Sequence, residues 1–180
     1  MREIALHLLD IVQNSLQAEA DLVEIQVLED KRLDQLIMVI SDNGRGMTRE
    51  ESARALDPFY TTRTTRRVGL GLSLLKVNCR ASGGDLLIES EPGRGTTVKA
   101  VFGLSHIDRP PLGNLVLTML SLVAGSPEVD FVLHHKKNGQ EYCFSTREMR
   151  EQLGPVPLNR PEVLEWLEAF LTEKENGLGK

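Results

Sequence analysis

The sequence predicts a two-layer α/β (α+β) sandwich, helices packed against one sheet, with a small α/β appendage at the C-terminal end. Three observations lead there: two stretches of amphipathic helical periodicity, four strand-like runs that come in pairs, and the order in which they alternate. Helix, strand, strand, long connection, helix, strand, strand suits a sheet covered by helices on one side. The chain has 180 residues, enough for one sizeable domain or a domain with an appendage. Its composition, 41% hydrophobic and 26% charged, is that of an ordinary globular protein.

Several function classes are excluded at this level. No apolar run reaches membrane-spanning length and the N-terminus carries no signal-peptide pattern, so a cytoplasmic location without a membrane partner is expected. The net charge of −5 is shared by the parts before and after residue 104. That argues against a nucleic-acid-binding surface, despite the local cluster Arg63, Arg66 and Arg67. Cys79 and Cys143 show neither C-x-x-C nor metal-ligand spacing, and each is read as a small buried hydrophobe.

Residues 2–19 read as the first helix, because Ile4, Ala5, Leu8, Ile11, Val12 and Leu16 recur at helical spacing. Opposite them Glu3, His7, Asp10, Asn14 and Gln17 form a polar stripe, of which Glu3 and Gln17 are read as solvated. Asp10 and Asn14 stand at i,i+4 and so share one surface. A carboxylate beside a carboxamide oxygen suits a hydrated Mg²⁺.

Leu22 to Leu28 alternates Val23, Ile25 and Val27 with Glu24 and Gln26, a half-exposed strand. Glu29–Asp34 is a charged turn into Gln35–Ser41, whose Leu36 to Ile40 run is wholly apolar, so an antiparallel hairpin is expected. The chain leaves this buried strand on Asp42 and turns through Gly44 and Gly46 to Met47. A carboxylate there can accept a hydrogen bond from a ligand's amino group, and glycines remove β-carbons that would obstruct a flat ring. By itself, D-x-G-x-G is an ordinary strand-to-turn signature.

Residues 43–68 form a connection longer than most inside a compact domain, and such loops are functional lids or disordered segments. Within it Thr48 reads as a helix N-cap with Glu51 three residues on, and Phe59 and Tyr60 as aromatic pins to the core. Val68 to Leu72 opens a second amphipathic helix through Leu75, Asn78 and Ala81, stopped by Gly83 and Gly84. Gly69 and Gly71 at its start expose backbone amides where the helix dipole is positive, a phosphate site on physical grounds. Asp85–Ser90 and Thr96–Phe102 are strands across the turn Glu91–Gly95. Thr96, Val98, Ala100 and Phe102 share a face, which puts Thr96 beside the strand end that carries Asp42.

Five motifs now stand in order, and as a set they resemble the Bergerat-fold ATPases shared by DNA gyrase, the 90-kDa heat-shock chaperone, histidine kinases and the MutL mismatch-repair proteins. The likeness is greatest to the catalytic ATP-binding domain of sensor histidine kinases. Asp10–Asn14 resembles the N box, Asp42–Gly46 the G1 box and Asp57–Arg63 the F box. Gly69–Ser73 resembles the G2 box, and Glu91–Thr97 the closing glycine–threonine motif. The resemblance covers residues 1–104, leaving 105–180 as a small C-terminal α/β region. It implies a Bergerat fold with a mixed, largely antiparallel sheet, and ATP and Mg²⁺ as cofactors.

The resemblance also implies roles. Asp42 bonds the adenine amino group, Gly44 and Gly46 form the ring pocket with Asn43 and Met47 in the same ATP-binding set, and Thr96 supports Asp42 through water. Asn14 ligates Mg²⁺. Gly69, Leu70, Gly71 and Leu72 donate from the backbone to the phosphates, Arg63 neutralises them, and 43–68 is the ATP lid. Asp10 stands where hydrolysing members carry the glutamate that activates water.

Three departures bear on mechanism. Asp10 is one methylene shorter than that glutamate, and Arg67 replaces the first glycine of the usual G-x-G-x-G. A helix beginning at residue 2 leaves no room upstream for a phosphoacceptor hairpin, so any kinase activity is expected in trans. His7, inside the nucleotide helix, is read as structural.

In the second part, Asp108–Gly113 reads as a linker, Leu115–Ala124 as an apolar helix, and Phe131–Leu133 and Glu141–Phe144 as strands around an Asn138-Gly139 hairpin turn. Thr146 is expected to cap a helix to Leu153, and Pro161 to start a last helix with Trp166 and Phe170 in the core. The tail after Thr172 is expected to fray. His134 and His135 are adjacent in a strand and point to opposite faces, which disfavours joint metal ligation.

Two functional readings stay open. One is an enzyme, an ATPase or a histidine-kinase-like protein kinase acting on a phosphoacceptor or a regulated enzyme. The other is a non-catalytic ATP-gated binding module acting on a partner protein. A homodimer is compatible with either.

Overall fold

A computed structural model describes residues 3–56 and 71–178. The expectations for Asp57–Arg63, Arg66, Arg67, Gly69 and Leu70 lie outside the described residues. The chain runs α1 (Ile4–Gln17), β1 (Leu22–Asp30), β2 (Gln35–Asp42), α2 (Arg49–Arg54), α3 (Gly71–Ala81), β3 (Leu86–Glu91) and β4 (Gly95–Gly103). It continues with α4 (Leu115–Gly125), β5 (Asp130–Lys137), β6 (Gln140–Ser145), α5 (Thr146–Leu153) and α6 (Pro161–Gly177). The strands of the described residues form one sheet in the order β3-β4-β2-β1-β5-β6. Every neighbouring pair is antiparallel except β1–β5, which is parallel. The expected mixed, largely antiparallel sheet with a C-terminal α/β extension is present.

Alternation along the strands decides what is buried. Val23, Ile25 and Val27 of β1, Leu36, Met38 and Ile40 of β2, and Val98, Ala100 and Phe102 of β4 lie in the core. Ile4, Leu8, Ile11 and Val12 of α1 and Leu75 and Cys79 of α3 pack with them. Phe102, Phe131 and Phe144 are fully buried, and each such ring stabilises the fold by about 1.5–3 kcal/mol. Within the helical layer α3 lies beside α1, α1 beside α4, and α4 beside α6. The β2–β4 register sets Asp42 opposite Thr96 at one end of the sheet, where the sequence placed them.

The C-terminal region joins this sheet through β5, paired with β1 from Leu22 to Glu29. The segment before α4 also touches α1. Its Pro111 and Leu112 carbonyls accept hydrogen bonds from the Ile4 and Ala5 amides at 2.9 and 2.8 Å. α1 has no side-chain N-cap, so these carbonyls occupy two first-turn donors that the helix cannot satisfy itself. The β5–β6 turn is built as expected: Asn138 and Gly139 both adopt positive φ, 54° and 83°, which a tight hairpin turn requires.

Four expectations are corrected here. Ser145, not Thr146, is the N-cap of α5, its hydroxyl accepting from the Glu148 amide. Thr146 is fully buried instead, and its Oγ1 accepts from the Phe131 amide at 2.8 Å. Trp166 is 48% exposed and stacks on half-buried Phe170 with centroids 5.4 Å apart, because Val163, Leu167 and Leu171 define the core stripe of α6. Cys143 is exposed on the open face of the sheet, its Sγ 3.7 Å from Nε2 of its cross-strand partner His134. Cys79 is buried as expected, and burial pushes its thiol up to about 12.

The tail after Thr172 does not fray: α6 continues to Gly177. Its anchor is Glu175, whose Oε1 lies 2.8 Å from His135 Nδ1 and accepts from the Tyr142 hydroxyl at 2.6 Å. His135 is only 1% exposed, opposite in direction to exposed His134. Its Nε2 lies 3.6 Å from Glu29 Oε1, an ion-pair rather than a hydrogen-bond distance, and Lys137 Nζ reaches the same oxygen at 3.0 Å.

Burial alone would lower the His135 pKa, but Glu175 and Glu29 outweigh it and hold the imidazole above its usual 6.5. His135 in turn is the largest influence holding Glu29 below the usual 4.5, and it helps hold Glu175 there against the opposing effect of burial. The signs fix a window. The His135 contribution is complete below its unfolded value of 6.5 and is lost as pH rises through its folded pKa. The glutamate contributions are present above 4.5 and are lost on acidification. Thermal melts of the native chain and Glu175→Gln should therefore differ most between about pH 4.5 and 6.5, and converge toward alkaline pH. A difference that does not vary with pH would show that the pair contributes by shape alone.

Candidate functional site

The site grows from the end of β2. Asp42 Oδ1 accepts the Gly44 amide at 3.0 Å and the Thr96 amide at 3.2 Å, while Oδ2 accepts the Ser15 hydroxyl at 2.6 Å. Three donors from three parts of the chain thus orient one half-buried carboxylate. Thr96 bonds Asp42 directly through its backbone amide. Its hydroxyl lies 2.8 Å from Ser90 Oγ, which also accepts the Met47 amide at 2.8 Å.

The loop after Asp42 is fastened on both sides. The Arg45 amide donates to the Ala18 carbonyl and the Arg45 carbonyl accepts the Gly93 amide, each at 2.8 Å. Gly46 has φ +67°, and a β-carbon there would lie 2.0 Å from the Glu91 carbonyl oxygen. A Gly44 β-carbon would meet the Ala18 carbonyl at 2.7 Å. These glycines let the loop press against the chain's own backbone. Asn43 turns its carboxamide to the start of β1, Oδ1 accepting the Asp21 and Leu22 amides and Nδ2 donating to Asp21 Oδ1.

The second half of the site lies between α1 and α3. Asp10 and Asn14 are both half-buried on the α1 stripe that meets α3. Asp10 presses against Gly71: a β-carbon on Gly71 would stand 1.8 Å from Asp10 Oδ2. A carboxylate at the start of α3 sits where the helix dipole favours negative charge. Leu72 follows, half-buried in the first turn of α3. The capping box expected at Thr48 and Glu51 is formed and starts α2.

The fold therefore brings together Asp42, Gly44, Gly46, Met47 and Thr96 at one end, and Asp10, Asn14, Gly71 and Leu72 between the helices. Arg63, Gly69 and Leu70 lie outside the described residues. Ser15 and Ser90 were not singled out from sequence. Ser15 was legible in principle, since it stands four residues after Ile11 and so carries a hydroxyl on the buried face of α1 beside Asn14. Ser90 had no such signal, because its role comes from pairing β3 with β4.

A helix-covered mixed sheet thus carries one carboxylate at a strand end and another at the start of α3. The comparisons identify its family. The histidine kinase-, DNA gyrase B- and HSP90-like ATPase family matches residues 2–106, and the chain belongs to that family. Residues 2–106 are a GHKL-type domain homologous to the ATP-binding domain of sensor histidine kinases.

The sensor protein kinase FleS of Pseudomonas aeruginosa is 40% identical over 96 residues, which is 53% of this chain and 24% of that protein. A putative sensor protein of Shewanella frigidimarina is 32% identical over 103 residues, 56% of this chain and 16% of its own length. Sporulation kinase E of Bacillus subtilis is 33% identical over 92 residues, 49% and 12%. The chain spans a quarter or less of these relatives. The crystal structure of the N-terminal domain of a DNA repair protein shares the fold with a TM-score of 0.55 at 17% identity, covering 79% of this chain and 52% of that one.

Ser15→Ala removes the donor to Asp42 Oδ2 and should destabilise the chain by about 1–3 kcal/mol in urea denaturation. A loss under about 0.5 kcal/mol would mean that the contact does not hold the carboxylate.

Proposed function

We propose that the chain binds Mg²⁺-ATP between α1, the end of β2 and the start of α3, and turns it over, either by hydrolysis or by phosphorylating a protein in trans. The observation that carries this reading is the Asp42 carboxylate. A carboxylate offers about four acceptor positions, and three here are taken by Ser15, Gly44 and Thr96. The fourth suits the exocyclic amino group of adenine. The half-buried oxygens of Asp10 and Asn14 are the hard donors a hydrated Mg²⁺ takes, and Asn14 is the ligand in this reading. The ion, when bound, would neutralise the phosphates.

The chain's own part in turnover falls to Asp10. Its carboxylate takes the proton from the attacking water or acceptor group, as a general base at hydrogen-bonding distance does. The first-turn amides of α3 from Gly71 onward hold the phosphates, and the loop through Gly44, Gly46 and Met47 holds the adenine ring, with Asn43 bracing it. Arg63, Gly69 and Leu70 complete the phosphate side in this reading. Residues 1–104 are the ATP-binding domain and 105–180 a partner-facing region.

One observation supports the alternative, a non-catalytic module. The region after residue 104 holds α1 by its first turn, through Pro111 and Leu112, and pairs β5 with β1. Movement of α1 on ATP binding would pass directly to it, and hence to a partner protein, without turnover.

Two variants separate these readings. Asp42→Asn places an amide where adenine needs an acceptor and should abolish ATP binding in calorimetry; unchanged affinity would remove the pocket assignment. Asp10→Asn should keep ATP affinity within about twofold and lose phosphate release. Equal turnover in native and variant protein would eliminate Asp10 as the base, and tight binding without any turnover in the native chain would favour the module.

A further inference from the structure

The interface between α1 and α3 contains a polar pair that the nucleotide reading does not use. His7, 1% exposed on α1, has its Nε2 2.8 Å from Asn78 Nδ2 of α3. An amide nitrogen only donates, so Nε2 is the acceptor and the imidazole proton resides on Nδ1. Among the described residues that buried Nδ1 has no hydrogen-bond partner. Two aliphatic side chains would fill this interface without the desolvation penalty, so simple packing does not account for the pair.

Its placement does. Along α1, His7 precedes Asp10 by three residues, on the same face. Along α3, Asn78 lies two turns after Gly71. His7 meets Asn78 and Asp10 meets Gly71, so the helices run antiparallel and are joined at two points on one seam. An apolar seam allows sliding among near-equivalent packings, whereas a single buried hydrogen bond specifies one register.

We propose that His7 and Asn78 form a register clamp that sets the start of α3, at Gly71, against Asp10, and so positions the phosphate end of the nucleotide site without touching the nucleotide. They are positioning residues. The proposal rests on the ATP reading above. Burial lowers the His7 pKa to about 4, with the N-terminal charge acting in the same direction and Asp10 in the opposite one. The ring stays neutral, and the clamp constant, across the physiological range.

The test compares Mg²⁺-ATP and adenosine binding by calorimetry in the native chain, His7→Leu, Asn78→Leu, the double leucine variant and His7→Gln, with thermal melts as folding controls. The double leucine variant fills the seam with apolar groups and should fold. ATP affinity should fall roughly tenfold or more in the leucine variants, because the phosphate-side donors are misplaced. Adenosine affinity should hold within about twofold, since Asp42 is untouched. His7→Gln, which retains an acceptor for Asn78, should recover most of the ATP affinity. Equal losses for ATP and adenosine would overturn the clamp in favour of a general structural role, and so would unchanged ATP affinity in the double leucine variant. A native chain that binds neither ligand would overturn the nucleotide reading itself, and the clamp with it.

Discussion

The hydrogen-bond ladder between β2 and β4 is the constraint on which the site depends. It sets Asp42 opposite Thr96, so that the Thr96 amide reaches the Asp42 carboxylate and the turn before β4 comes down on the loop after β2. A slip of one residue would turn Asp42 to the open face of the sheet and bury Ser41 in its place. The register is strongly specified because Leu36, Met38 and Ile40 are buried on the same strand as Val98, Ala100 and Phe102 on its neighbour. The apolar core thus fixes the place of a polar group at the strand end.

α1 carries three duties at once. Ile4, Leu8, Ile11 and Val12 bury its core face, Asp10 and Asn14 sit on the seam with α3, and Ser15 reaches across to Asp42. Its first turn is held from the far side of the sequence by Pro111 and Leu112. A helix tied at its start, middle and end is a stiff reference for the site. It also links the family domain physically to the C-terminal region.

The C-terminal region is held by a different kind of force. β5 adds to the sheet by backbone pairing, but the end of α6 is tied down by His135, Glu175, Tyr142, Glu29 and Lys137, charged and polar groups in a low-dielectric setting. Removing one member of such a set leaves the others desolvated without a partner, which costs more than the net worth of the contact. Trp166, by contrast, lies at the margin of α6 and stacks on Phe170 at the surface.

Local pattern was enough for most of the elements. Period-two alternation in Val23–Val27, helical spacing from Ile4 to Val12, the Thr48–Glu51 capping box and the Asn138-Gly139 turn are short-range signals, each set by backbone geometry within a few residues. The motifs around Asp10, Asn14, Asp42 and Thr96 were ordinary one by one and became readable only as an ordered set. What depended on tertiary contact was decided elsewhere. Ser145 rather than Thr146 caps α5 because Thr146 is claimed by Phe131, and α6 runs past Thr172 because Glu175 finds His135 forty residues away. Gly44 and Gly46 allow a close backbone approach that only the folded chain shows, and Ser15 bonds a carboxylate from another element. A linear pattern carries periodicity and turn chemistry, whereas the partner of a buried polar group is chosen by packing that brings distant segments together.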